Sequence, residues 1–273
     1  MNDRGQAYWD AEIAMTTSAA QMRGAASSAR LYEGSRLDLT FFVSCYNEAE
    51  HIWETLDTIC AAANTVGLSF EVVVIDDVST DNSREVVREY ISSHPDANIL
   101  LRANRRNKGL AQNYVDGAFL GTGKYYRLIC GDNAESTESV VAVLTAIGQA
   151  DCIVPYYVTN EGRSLERRLL SKIYTFVVNA ITGNRIPYYN GLTVHLRHNV
   201  MRWHTNTKGF GFQAEILCLL LDLGFTYKEV PIVAKEKRVG RSNALNVRNV
   251  LSVAHTIIEI ANRRISAFVY SLR

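Results

Sequence analysis

No window of this 273-residue chain approaches the roughly 18 uninterrupted apolar residues that a membrane-spanning helix requires. The first residues carry Asp3, Asp10 and Glu12 without a continuous apolar stretch, so they do not read as a secretion signal. A soluble or peripheral protein is expected. Charge of one sign is missing as well. The 29 Lys and Arg against 28 Asp and Glu leave a formal net charge of +1, which gives no reason to expect generalised nucleic-acid binding. The five cysteines, at 45, 60, 130, 152 and 218, are odd in number, widely spaced and mostly inside apolar runs. That argues against a disulfide framework or a zinc site and for a reducing, cytoplasmic setting. Glycine-rich phosphate loops are absent too. The first strand-to-helix junction reads Ser44-Cys-Tyr-Asn-Glu-Ala-Glu50 rather than Gly-x-Gly-x-x-Gly, which disfavours an NAD enzyme, and no Gly-Lys-Ser/Thr follows a glycine-rich loop.

What is present is a 47% hydrophobic content, enough to bury a large core. Apolar spacing predicts strands over 37–44, 70–75, 98–102, 125–129 and 151–158, with helices over 49–66, 80–93, 109–120 and 136–147 between them. Such alternation implies an α/β fold with a mostly parallel sheet covered by helices on both faces. Further on, the pattern gives a long amphipathic helix over 163–181, a strand over 191–196, a buried helix over 212–223, a strand over 226–233 and a last helix over 246–270. Residues 1–36, rich in Ala and Ser, form an N-terminal extension without a readable pattern.

Chemistry gathers at predicted strand ends. One apolar run stops at Cys45-Tyr46-Asn47-Glu48 and the next at Asp76-Asp77, which delivers these groups to the carboxyl edge of an open sheet, where ligands bind. Carboxylates there can accept hydrogen bonds from ribose hydroxyls or a base N–H, so Glu48, Asp76 and Asp77 suit a nucleoside better than a bare phosphate. Asp81 reads equally well as a helix cap. Arg105, Arg106 and Lys108 load charge onto a helix N-terminus opened by Gly109, either a seat for a diphosphate or a solvated basic loop. Asp132, beyond the 125–129 strand, is the strongest candidate ligand for Mg²⁺ or Mn²⁺, which takes its other ligands from substrate phosphates. Glu135 is a second candidate, or an acid favouring the helix that follows.

Taken in order, Cys45-Tyr-Asn-Glu48, Asp76-Asp77-x-Ser79-x-Asp81, Asn107-x-Gly109 with Gln112 and Gly117, and Gly131-Asp132 resemble the family 2 nucleotide-sugar glycosyltransferases of the GT-A fold. The dolichyl- or polyprenyl-phosphate mannosyltransferase-like branch is the nearest in flavour. The likeness runs from about Leu37 to Ser242. It implies a GT-A (Rossmann-like) domain over 37–242, with a nucleotide-binding half at 37–135 and an acceptor half at 136–242, then a C-terminal amphipathic segment at 243–273. It also implies that Tyr46, Glu48 and Asp77 contact the nucleotide, that Asp76 lies beside it, and that Lys108 and Gly109 border the donor. Asp132 matches the second aspartate of the family's Asp-x-Asp motif. The first falls on Cys130, the glutamine that often follows falls on Ala134, and the proline expected before Tyr-Asn-Glu is replaced around Ser44-Cys45. These departures imply weaker metal affinity, or a contribution from Glu135.

The distal motifs resemble the same branch. Pro187-Tyr-Tyr-Asn190-Gly191 stands where Asp-x-x-Ser-Gly is usual, Gly209 to Glu215 matches a segment with an acid on the acceptor side, and Arg238-x-Gly240-x-Ser242 resembles a mobile basic loop. Asn190, Arg238, Arg241 and Ser242 would there hold phosphate or acceptor. The implied reaction is metal-assisted, inverting transfer from a UDP- or GDP-linked sugar to a polyprenyl-phosphate or saccharide acceptor. A hydroxyl acceptor needs a base, for which Glu215 is the first candidate. A lipid phosphate, with a second pKa of about 6, needs none, and Glu215 would then position Arg238 or the acceptor. A soluble hydroxyl acceptor and a silent nucleotide-sugar binding protein are the rival readings. The helices over 163–181 and 246–270 carry Arg167, Arg168, Lys172, Arg263 and Arg264 beside apolar residues. That pattern suits peripheral contact with an anionic leaflet on the cytoplasmic side, or packing on this protein or on a second copy of it.

Overall fold

A computed structural model describes residues 37–158, 165–204, 211–233, 235 and 247–271. From the amino end, β1 (Leu39–Cys45), α1 (Ile52–Val66), β2 (Phe70–Asp76), α2 (Ser83–Ser93), β3 (Ile99–Ala103), α3 (Leu110–Leu120) and β4 (Tyr125–Cys130) follow the predicted alternation to within a helical turn. After them come α4 (Thr137–Thr145), β5 (Cys152–Tyr157), α5 (Leu165–Thr182), β6 (Val194–Leu196), α6 (Arg197–Met201), α7 (Phe212–Asp222), β7 (Tyr227–Ile232) and α8 (Val247–Ser271). The short α6 has no counterpart in the sequence reading. Helices α1 and α2 begin later than predicted because the acidic residues ahead of them belong to turns. Glu48 O accepts from the amides of His51 and Ile52, and Asp81 accepts from the amide of Ser83.

The seven strands form one sheet in the order β3-β2-β1-β4-β6-β5-β7. All neighbours are parallel except β6, which runs antiparallel to β4 and β5. Central strands buried on both faces explain why β1 and β2 read as unbroken apolar runs. Phe41, Val43, Val72 and Val74 meet α1, α2 and α4 on one side. Phe42, Val73 and Ile75 meet α3, α5 and α7 on the other. Gly117 lets α3 lie close to the sheet, since a β-carbon there would crowd Phe42 and the Tyr126 hydroxyl.

Strand order reverses at β1, with β2 on one side and β4 on the other. Chain excursions leave in opposite directions at such a point, opening a crevice at the carboxyl ends of the strands. The pairings Cys45↔Asp76 and Ser44↔Cys130 set the ends of β1, β2 and β4 at one level. Helix α8 packs against α5 and α7. Arg264 donates to Asp222 Oδ1 at 2.9 Å and to Thr182 O. Among the described residues no helix is long and apolar enough to cross a membrane.

Candidate active site

The turns after β1 and β2 are stitched together by side chains. Asn47 N donates to Ser79 Oγ at 3.0 Å, Glu48 N to Ser83 Oγ at 2.8 Å, and Ala49 N to Asp81 Oδ2 at 3.1 Å. In return Asn47 Oδ1 accepts from Thr80 N at 2.8 Å. The Ser79-x-Asp81 part of the motif is therefore a staple between two loops, and it holds Asn47 at φ 57° and Val78 at φ 70°. Tyr46 emerges beside this staple with 53% of its surface exposed.

Asp76 and Asp77 are buried and already engaged. Asp76 accepts from Ser79 N at 3.3 Å and pairs with Arg84 Nε at 3.1 Å. Asp77 Oδ1 accepts from Asn104 Nδ2 at 2.8 Å and Lys108 N at 2.9 Å, while Oδ2 accepts from Gly109 N at 2.9 Å. Burial opposes ionisation of Asp77, but these bonds outweigh it and hold the carboxyl below its usual range. Gly109, at φ 81° and ψ 160°, adopts a backbone conformation essentially reserved for glycine. The Lys108 ammonium pairs with Asp116 on α3. Asp76, Asp77 and the Lys108 side chain, expected at the donor, each bond to the protein itself. Arg105 and Arg106 are exposed on the same loop.

Across the crevice, Gly131 brings the loop after β4 against Glu48. Its amide donates to Ser44 O at 3.0 Å, its carbonyl accepts from Thr55 Oγ1 at 2.9 Å, and an added β-carbon would stand 2.7 Å from Ser44 O and 3.1 Å from Glu48 Cγ. Asn133, at φ 51°, donates to Glu54 Oε2 at 2.9 Å and accepts from Thr58 Oγ1 at 3.2 Å, which anchors the loop on α1. Asp132 is exposed and accepts from Ala134 N at 3.3 Å. Burial, then the charges of Asp132 and Asp81, push the Glu48 carboxyl up to about 7.

These residues fit a divalent cation of the Mg²⁺ or Mn²⁺ kind. Asp132 offers an exposed carboxylate near Glu48, whose ionisation burial and then the Asp132 charge oppose, and a hard cation held there would offset that repulsion while taking further oxygens from a bound diphosphate. Among the described residues no group of three or more His, Cys, Asp or Glu side chains could hold a metal alone. Cys130, at the position of the missing aspartate, is a thiol whose pKa burial and the charges of Asp132 and Glu135 push well up. Glu135 requires a correction. Instead of lying open to a metal, it is 5% exposed, and both its oxygens accept from Arg127 Nη2, at 3.0 and 2.8 Å.

In the distal half, the turn carrying Asn190 lies on β5, for a β-carbon at Gly191 would overlap Pro155 O. Glu215 is 2% exposed, with Oε1 3.6 Å from Arg263 Nη2 and the Trp203 indole beside it. Burial raises its pKa against the lowering effect of Arg263. Its observed partner is therefore α8. Arg238, Arg241 and Ser242 lie outside the described residues. Sequence reasoning missed Asn104, Arg84, Arg127 and Arg263 as the partners of these acids. Only Arg127 carried a visible signal, a lone charge inside the apolar run Tyr125 to Ile129.

Comparison with known proteins places this geometry in context. The family model described as Glycosyl transferase family 2 matches residues 40–206. The undecaprenyl-phosphate 4-deoxy-4-formamido-L-arabinose transferase of Pectobacterium carotovorum is 23% identical over 164 residues, 60% of this chain and 50% of that protein. The dolichyl-phosphate beta-glucosyltransferase of Trichomonas vaginalis is 24% identical over 251 residues, 85% of this chain and 73% of that one. The chain thus spans about half the length of the first of these relatives. Among solved structures, glucosyl-3-phosphoglycerate synthase from Mycobacterium tuberculosis in complex with UDP superposes with a TM-score of 0.64 at 15% identity, covering 83% of this chain and 81% of that one. A mannosyltransferase from Pyrobaculum calidifontis in complex with GDP-Man and Mn²⁺ gives 0.60 at 19% identity, covering 90% and 74%. At such identities the likeness establishes the fold, the GT-A arrangement of a mostly parallel sheet.

Proposed function

The chain belongs to glycosyl transferase family 2, and from that premise we propose that it transfers a sugar from a UDP- or GDP-linked donor to a polyprenyl-phosphate acceptor, with Mg²⁺ or Mn²⁺ and with inversion. The observation that carries this reading is the exposed Asp132 carboxylate, next to Gly131, which packs against Glu48 where β1 and β4 end, and whose charge acts on Glu48. Two sets of relatives support the finer parts. Curated relatives are named for undecaprenyl- and dolichyl-phosphate substrates, and solved neighbours of the same fold hold UDP, or GDP-Man with Mn²⁺.

In this mechanism the exposed Tyr46 ring covers the base and Glu48 accepts from ribose hydroxyls. Arg105, Arg106 and the N-terminus of α3 supply positive potential for the diphosphate. Asp132 would hold the metal ion, which when bound neutralises charge on the leaving diphosphate. On the acceptor side, a phosphate with a second pKa of about 6 presents a largely deprotonated oxygen at neutral pH, so attack at the anomeric carbon needs no strong base. Asn190, Arg238, Arg241 and Ser242 hold that phosphate in place. One observation favours a second reading, transfer to a soluble or saccharide hydroxyl: the buried Glu215 carboxyl, whose raised pKa suits a general base. Glu215→Gln separates the two, silencing a hydroxyl acceptor and sparing a lipid phosphate.

The test is a thermal-shift panel of UDP and GDP sugars with Mn²⁺ or chelator, followed by turnover of Asp132→Ala. A donor that binds the folded state raises the melting temperature, and Asp132→Ala should lose at least about 100-fold in metal-dependent turnover at an unchanged melting temperature. Undiminished turnover in Asp132→Ala sinks the metal assignment. Absence of any shift or turnover moves the weight to a silent binding protein. Exposed Leu169, Ile173 and Phe176 on α5 and Leu251, Ile258 and Ile265 on α8 support peripheral contact with the cytoplasmic leaflet that would carry such an acceptor. Flotation with anionic vesicles reads that contact. Failure to float, together with a dimeric mass, assigns the face to a second copy.

A further inference from the structure

Among the described residues Arg127 heads the fully buried side chains by volume, at 0% exposure, in the middle of β4 between the buried Tyr126 and Leu128. A guanidinium in that position suffers a desolvation cost that an apolar side chain of similar volume avoids, so stability alone does not account for it. Its bonds lead to the two segments that frame the candidate site. Nη2 donates to both oxygens of Glu135, in the loop that carries Asp132. Nε donates at 3.3 Å to Leu192 O, in the turn that carries Asn190 and Gly191. Nη1 has no hydrogen-bond partner. The Asp132 loop is tied to α1 on one flank, through Gly131 and Thr55 and through Asn133 with Glu54 and Thr58. Its other flank is held by Glu135.

We propose that Arg127 is a positioning residue: acting through Glu135, it keeps the Asp132 carboxylate in register with the acceptor-side turn at Asn190 to Leu192. This rests on the glycosyl-transfer reading of the same site. Removing one member of a buried ion pair leaves an uncompensated charge, whereas replacing both with apolar groups of similar volume is often neutral or stabilising. The double variant Arg127→Met/Glu135→Leu therefore separates positioning from stability.

The double variant is expected to melt at or above the wild-type temperature. In the metal-free protein its amides at Gly131 to Asn133 should exchange faster with solvent. Its half-saturating Mn²⁺ concentration and its kcat should worsen by about 10- to 100-fold, while the KM for the sugar donor stays within about twofold. A double variant with wild-type exchange, Mn²⁺ requirement and kcat overturns the proposal and makes the pair merely structural. If the double variant does not fold, Arg127→Lys keeps the charge but loses the fork that reaches both Glu135 and Leu192. A raised Mn²⁺ requirement in that variant supports the proposal, and an unchanged one overturns it. A wild-type enzyme without metal-dependent turnover on any donor and acceptor defeats the glycosyl-transfer reading itself, and this inference with it.

Discussion

Val78 holds φ 70° at the edge of the crevice, a left-handed conformation that costs a β-branched residue about 1–2 kcal/mol. It persists because Ser79 on its C-terminal side bonds to Asn47 and Asp76 on its other side pairs with Arg84. Val78→Gly should stabilise the protein by about 1 kcal/mol, the relieved strain less glycine's entropy. Urea denaturation measures it, and a loss of stability would show that the Val78 side chain contributes packing worth more than the strain. At this scale the acids of the site were legible in the sequence, but their availability was not. Asp77 meets Asn104, Lys108 and Gly109, and Glu135 meets Arg127. Such partners arrive through folding, and residue type alone does not say whether a carboxylate is already satisfied or still open to a ligand. Asp132 and Glu135 lie in one short loop, yet one is exposed and the other buried in an ion pair.

Elements were the most legible level, because apolar spacing at periods of two and of about 3.6 reports which faces become buried. Besides the short α6, two features escaped that signal. Strand β6 pairs through three residues and runs antiparallel, a direction that no local pattern encodes. Helix α8 carries apolar residues on both faces, with Ile260 buried while Leu251, Ile258 and Ile265 are exposed, so its docking side had to come from packing. Gly211, just before α7, decides that docking, since a β-carbon there would overlap Thr256 Oγ1. Gly211→Ala should cost about 1–3 kcal/mol and loosen α8, taking Arg263 away from Glu215. Amide exchange across Val247 to Ser271 checks it, and protection equal to wild type would refute the close contact.

For the molecule as a whole, stability should depend on pH through His195. It is buried on β6, where burial lowers its pKa from 6.5 to about 3, and its Nδ1 lies 3.6 Å from Cys152 Sγ. The unfolded chain binds a proton near the ordinary value while the folded one refuses it. The stabilisation from a neutral His195 is therefore complete above about pH 6.5 and is lost as pH falls toward 3, at up to about 1.4 kcal/mol per pH unit. Denaturation between pH 7 and about pH 4 should show this slope in the wild type and a shallower one in His195→Leu. Equal slopes would mean that His195 is protonated in the fold. The sequence by itself determined the α/β class, the order of the elements and the stations where acidic groups reach the carboxyl edge, because periodicity and strand ends are local properties of the chain. Only the tertiary structure decided that Gly131, beside Asp132, packs against Glu48, that Glu135 belongs to Arg127, and that Glu215 answers to a helix nearly fifty residues further along. Those outcomes depend on which segments the sheet order brings together and on which polar groups burial leaves to find partners.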